Sequence, residues 1–145
     1  MMKRVGSDVR RAFSVAFGLQ EGYAQGARVH SFEEATMALK EWMVRRAASG
    51  KDFLTGTLSA GEVVYAWPDG PGKAGSGSEP CAVFAGEVSV LYAAHLSDQV
   101  AEEILDDLAS EVGRALGQTR VYVSYLDMTW VLQTEQTQTP TGETV

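Results

Sequence analysis

The sequence predicts an α+β domain: two helices packed on one face of a four- to six-stranded mixed or antiparallel sheet. Two stretches carry apolar residues at helical spacing between a serine cap and a terminal glycine, one opening at Ser31 and one at Ser97 or Asp98. Runs of β-branched and aromatic residues with period-two alternation flank them, most clearly Thr119 to Leu132. Two amphipathic helices and several half-apolar strands bury their faces most economically as one helix layer on one sheet. A length of 145 residues fits a single domain, placed at residues 10–132, with a flexible leader at 1–9 and a polar, threonine-rich tail at 133–145 expected to be disordered.

The first strand is expected from Arg10 to Leu19. Phe13, Val15, Phe17 and Leu19 form a large apolar face, and Ala12, Ser14, Ala16 and Gly18 a small one that lets another group approach closely. Ser31-Phe32-Glu33-Glu34 is a capping box. Ala35, Ala38, Leu39, Trp42 and Met43 make the buried stripe of the helix that follows, and Gly50 ends it. Phe53–Leu58 and Glu62–Trp67 read as two strands joined by the short loop Ser59-Ala60-Gly61. Pro68-Asp69-Gly70-Pro71-Gly72 is turn chemistry, and the glycine- and serine-rich run to Ser78 reads as one long flexible loop. Cys81–Ala94 is β-rich but would exceed about 40 Å as one straight strand. Gly86 therefore marks a bend, a bulge or a split. The second helix runs to about Leu116, with Val100, Ala101, Ile104, Leu105, Leu108, Val112, Ala115 and Leu116 inward and Gly117 closing it. Thr119–Leu132 closes the sheet, with Val121, Val123 and Tyr125 on one face and Tyr122, Ser124 and Leu126 on the other; Met128–Leu132 is a candidate extra strand. The expected order is β-α-β-β-β-α-β.

The net charge of −7 argues against a broad surface for nucleic acid or anionic membrane. The longest apolar-leaning stretch, Pro80–Leu96, falls short of a span of about 20 residues. Cys81 is the single cysteine, so no internal disulfide forms, and a reducing, cytoplasmic setting is expected. His30 and His95 have no second histidine or cysteine at ligand spacing, so neither a metal nor a cofactor is expected. GPGKA around Lys73 lacks the phosphate-loop spacing. Glu102, Glu103, Asp106 and Asp107 read as a solvated helix face.

The candidate ligand-binding residues are arginines and aromatics. Arginine grips phosphate or carboxylate in a forked geometry, and aromatic rings stack on a base. Arg10, Arg11 and Arg120 near strand ends, Tyr65, Trp67, Tyr92, Tyr122 and Trp130, together with Lys73 and His95, make up that set. Ordinary surface arginines and core aromatics are the alternative.

The run Gly117-Gln118-Thr119-Arg120-Val121-Tyr122-Val123-Ser124-Tyr125 with Trp130, and Phe17-Gly18-Leu19 ending the first strand, resembles tautomerase-like proteins of the macrophage migration inhibitory factor superfamily. The resemblance covers residues 10–132 by pattern. It implies helices on a sheet, an architecture shared in outline with ferredoxin-like domains, and an oligomer with sites between subunits. That family's enzymes use an N-terminal proline as base; Met2 stands there in this chain, so the resemblance implies the fold and the oligomer rather than the reaction.

These readings lead to an expected non-catalytic domain that binds or sequesters an anionic, nucleotide-like small molecule, with self-association into a homo-oligomer and a pocket near residues 68–79. A phage or mobile-element accessory protein would fit that description. Two alternatives stand beside it: a small enzyme with His95, Tyr92 or Asp69 as acid–base groups, and a structural assembly subunit.

Overall fold

The computed structural model describes residues 1–135. Its elements run β1 (Ala12–Gly18), α1 (Phe32–Ala48), β2 (Thr57–Pro68), β3 (Ala74–Glu87), α2 (Asp98–Ala115), β4 (Arg120–Tyr125) and β5 (Met128–Gln133). The strands form one sheet in the order β2-β3-β1-β4-β5, and every neighbouring pair is antiparallel. The expected fold class stands as two helices on a five-stranded antiparallel sheet. Among the described residues no helix is long and apolar enough to cross a membrane.

The period-two alternation of β1 decides which face is covered. Phe13, Val15, Phe17 and Leu19 are buried, and in register with them lie Ala82 and Phe84 of β3 and Val121, Val123 and Tyr125 of β4. Helix α2 lies over this face with Ala101, Ile104, Leu105, Leu108, Ala109 and Val112 inward; α1 packs beside α2 and adds Ala35, Leu39 and Trp42 to the same core. Both helices begin as their caps dictate. Ser31 Oγ accepts the amide of Glu34, whose carboxylate returns to the Ser31 amide. Ser97 Oγ accepts the amide of Val100.

The β2–β3 region differs from the expected layout. Residues 57–68 form one strand rather than two, because Gly61 stays extended opposite Cys81 instead of turning. The run after the Pro68–Gly72 turn is strand, not flexible loop. The turn closes at once, with the Asp69 amide donating to the Lys73 carbonyl, and β3 starts at Ala74. Its glycines have a cause across the hairpin: Gly75 and Gly77 pair with Trp67 and Tyr65, whose rings lie where a Cβ would sit, 2.5 and 3.1 Å away. Strand β3 then ends at Glu87 rather than continuing to Ala94, and segment 55–56 crosses against Gly86. Thr119–Leu132 is two strands, β4 and β5, turned through Leu126-Asp127. The order is thus β-α-β-β-α-β-β.

Charged side chains fasten the helix layer. Arg11 donates to the Leu96 carbonyl (2.8 Å), Asp98 (3.0 Å) and the Tyr125 hydroxyl (3.3 Å), and Tyr125 donates to Asp98 at 2.5 Å. The Tyr125 hydroxyl first and Arg11 second hold the Asp98 carboxyl below its usual range. Asp106 and Asp107 are not merely solvated: they accept the indole N–H of Trp130 (2.8 Å) and Trp42 (2.9 Å), and Arg46 joins Asp107 while lying over the Trp42 ring.

Candidate functional site

The face of the sheet that carries no helix holds a cleft of about 1130 Å³. Its floor follows from β1's small positions. Ala16 and Gly18 lie between Val83 and Cys81 of β3 on one side, and Ala16 lies opposite Tyr122 of β4 on the other. Burial pushes the Cys81 thiol pKa up, with Glu62 and Glu79 adding to it, so Cys81 is an apolar part of the floor rather than a thiolate.

The walls carry the chemistry. Tyr65 comes from β2, Glu79 from β3, and Arg120 and Tyr122 from β4; Tyr23 reaches in from the loop after β1. Tyr23 meets Tyr65 edge-to-face at 6.4 Å between centroids, and Tyr65 meets Trp67 at 5.9 Å. Glu79, partly shielded by the cleft, raises the Tyr23 phenol above its ordinary value, with burial and the phenols of Tyr65 and Tyr122 adding to it; Tyr23 therefore remains a hydroxyl donor at neutral pH. Neither Glu79 nor Arg120 forms an ion pair among the described residues. Arg120 donates Nε–H to Gln133 at 2.8 Å, which orients its guanidinium on the cleft rim. Gln118 donates to the carbonyls of Gln20 and Leu116, 3.0 Å each, tying the 19–30 loop to the end of α2. Two carboxylates, Glu79 and Glu135, one guanidinium and three phenols around a small-residue floor suit a ligand with both a cationic and an anionic group and a flat ring.

Of the residues singled out in the sequence, the fold brings Tyr65, Arg120 and Tyr122 together in this cleft. The others stand elsewhere. Arg10 pairs with Glu87 at 2.7 Å, and Arg11 fastens α2. Trp67 lies farther out on β2, and Lys73 is in the hairpin turn. Tyr92 is exposed in the segment after β3. His95 pairs with Asp52 at 3.1 Å, and Trp130 faces α2. Sequence reasoning missed Glu79 and Tyr23. Glu79 follows Gly75-Ser76-Gly77-Ser78, and the alternation of glycine with serine is itself a period-two signal that places Glu79 on the glycine face. Among the described residues no group of three or more metal-ligating side chains converges.

No protein-family model matches the sequence, and no curated protein matches it. Two solved structures share the architecture. One is a phage SAM lyase in complex with S-methyl-5'-thioadenosine, at 17% identity and TM-score 0.62; the other is a phage SAM lyase in the apo state, at 15% identity and TM-score 0.60. Each likeness covers 95% of this chain and 99% of the other. These findings correct the expected kinship with tautomerase-like proteins: the full-length neighbours are of another family. They also overturn the expectation of a non-catalytic sequestering domain, since the neighbours that share the fold from end to end are enzymes.

Proposed function

We propose that this chain is a lyase acting on S-adenosylmethionine or a close sulfonium nucleoside, and that it releases S-methyl-5'-thioadenosine from the open face of its sheet. The observation that carries the reading is the full-length likeness to a lyase solved with that thionucleoside, combined with a cleft whose groups match the substrate's chemistry.

Each part of such a substrate has a partner. The phenol faces of Tyr65 and Tyr122 stack on the adenine. The Glu79 carboxylate lies against the sulfonium, and Arg120 holds the substrate carboxylate. The reaction breaks the bond between sulfur and the amino-acid side chain's terminal carbon. The electron pair passes to sulfur, leaving the neutral thioether. The carbon is satisfied either by attack of the substrate's own carboxylate oxygen, which closes a lactone, or by transfer of a proton from the next carbon to the Glu79 carboxylate, which leaves an alkene; no co-reactant is consumed. The small floor keeps the reacting part close to the sheet, and the Tyr23 hydroxyl lies on the cleft wall beside Tyr65. Arg10, Arg11, Trp67, Lys73, Tyr92, His95 and Trp130 stay outside this assignment.

Self-association belongs to the same reading. Strand β2 is a sheet edge with Val64 and Trp67 exposed, which is the kind of edge a second copy pairs with. A strict monomer in sizing chromatography removes this part alone. The phage source of both neighbours is compatible with a mobile-element role.

The test is turnover. Purified protein is incubated with S-adenosylmethionine, and the products are resolved by mass spectrometry. Appearance of S-methyl-5'-thioadenosine above the no-protein rate is the expected result. Failure both to form it and to bind it overturns the reading.

A further inference from the structure

His30 is buried at 4% exposure, yet its two ring nitrogens each face a carboxylate. Nδ1 lies 2.8 Å from Glu34, three residues past the α1 cap, and Nε2 contacts Glu21. A neutral imidazole has one donor and one acceptor, and a carboxylate can only accept. Both contacts are satisfied only by the doubly protonated ring. Glu21 belongs to a short hairpin that returns the chain from β1: Gln20 bridges Val29, the Glu21 amide donates to the Arg28 carbonyl, and the His30 amide donates to Leu19. Tyr23, on the cleft wall, sits within this hairpin.

We propose that His30 is a positioning residue, a charged latch that clamps the 19–30 hairpin to the start of α1 and so fixes Tyr23 against Tyr65. The groups that face it are Glu21 and Arg28 from the hairpin and Glu34 from α1. Glu33 and Glu41 line the shallow hollow beside it, and the end of α2 contributes only Ala115 and Leu116. Arg28 reaches Glu34 at 3.0 Å, so two carboxylates are balanced by one guanidinium and one imidazolium. His30 is also the main reason that Glu34 is held down to about 2, the Ser31 amide coming second. Loss of one ring proton leaves a lone pair facing a carboxylate; with the remaining proton on Nδ1, held by Glu34, it is Glu21 at Nε2 that is released. The latch is therefore closed while the ring carries both protons and open when it carries one. Its effect on ligand rests on the function proposed above; the latch itself does not.

The experiment follows the His30 ring by nitrogen NMR and the amide-exchange protection of residues 20–29 over a pH series, in the wild type, Glu21→Gln and His30→Gln. In the wild type, protection is expected to fall at least about tenfold as the ring loses its proton, the scale of a hydrogen bond to a charged group. Glu21→Gln is expected to stay protected after the ring is neutral, because the introduced amide donates to Nε2. His30→Gln is expected to show low protection throughout; should it not fold, the wild type and Glu21→Gln decide alone. A neutral ring alongside a protected hairpin in the wild type overturns the latch, as do identical pH profiles in the wild type and Glu21→Gln. Binding of S-methyl-5'-thioadenosine, measured in parallel, is expected to weaken with wild-type protection. If that nucleoside does not bind at any pH while protection behaves as stated, the latch stands and the substrate reading falls.

Discussion

The two faces of the sheet are built from the same strands and differ in almost every physical respect. On the covered face Val15, Phe17, Phe84, Val121 and Val123 are nearly or wholly inaccessible and meet the helices. On the open face the alternate residues of the same strands are Ala16, Gly18, Glu79, Arg120 and Tyr122, around a cleft. One face is filled and the other is floored and walled. A single step of register exchanges the two sets, so the core and the cleft are written into one strand without competing for positions.

That division is open to attack from both sides. The largest effect is expected on the covered face: Phe17→Ala should cost about 3–5 kcal/mol in urea or thermal unfolding, the usual range for an aromatic removed from a packed core. Next comes Glu79→Gln on the open face. Turnover should fall about a hundredfold, equal to about 2.7 kcal/mol of barrier, while the unfolding midpoint stays near wild type. A comparable fall in stability would show that Glu79 supports the fold instead.

Acid tests a third region, the helix starts. Glu34 is lowered from 4.5 to about 2, and Asp98 is also lowered. A carboxylate held down in the folded state stabilises it above the ordinary value, and that stabilisation is lost as pH falls through the folded value. Unfolding midpoints should therefore decline between about pH 4.5 and 2, and Glu34→Gln should flatten that decline. The smallest effect is at the β4–β5 turn, where Leu126 adopts a left-handed φ of 55°. Leu126→Gly should stabilise the fold by about 1 kcal/mol, as read from the denaturation midpoint, and leave turnover unchanged.

Much of the scaffold was legible in the residues. The alternation in β1, the Ser31 capping box, Gly50, the stripe of α2 and the Val121–Val123–Tyr125 face all act through local rules. What was hidden depends on partners distant in sequence. Gly61 looks like a turn until Cys81 is set across from it, and Gly75 and Gly77 look like loop until the rings of Trp67 and Tyr65 cover them. That misreading concealed Glu79 as well. In the cleft, Tyr65, Arg120 and Tyr122 were recognisable by type, whereas Tyr23 depends on a hairpin held by His30, a contact that only the folded chain makes. Arg11 and Trp130 have the chemistry of ligand-binding groups, but the fold turns them toward Asp98 and Asp106.

On the proposed function, the open face is where the chemistry happens. Ala16→Phe raises the floor of the cleft without touching the covered face. The decisive measurement is release of S-methyl-5'-thioadenosine from S-adenosylmethionine by this variant beside the wild type, with both shown to be folded by their melting transitions. The predicted result is a wild-type-like transition with release lost. A folded Ala16→Phe that releases the nucleoside at the wild-type rate would contradict the claim.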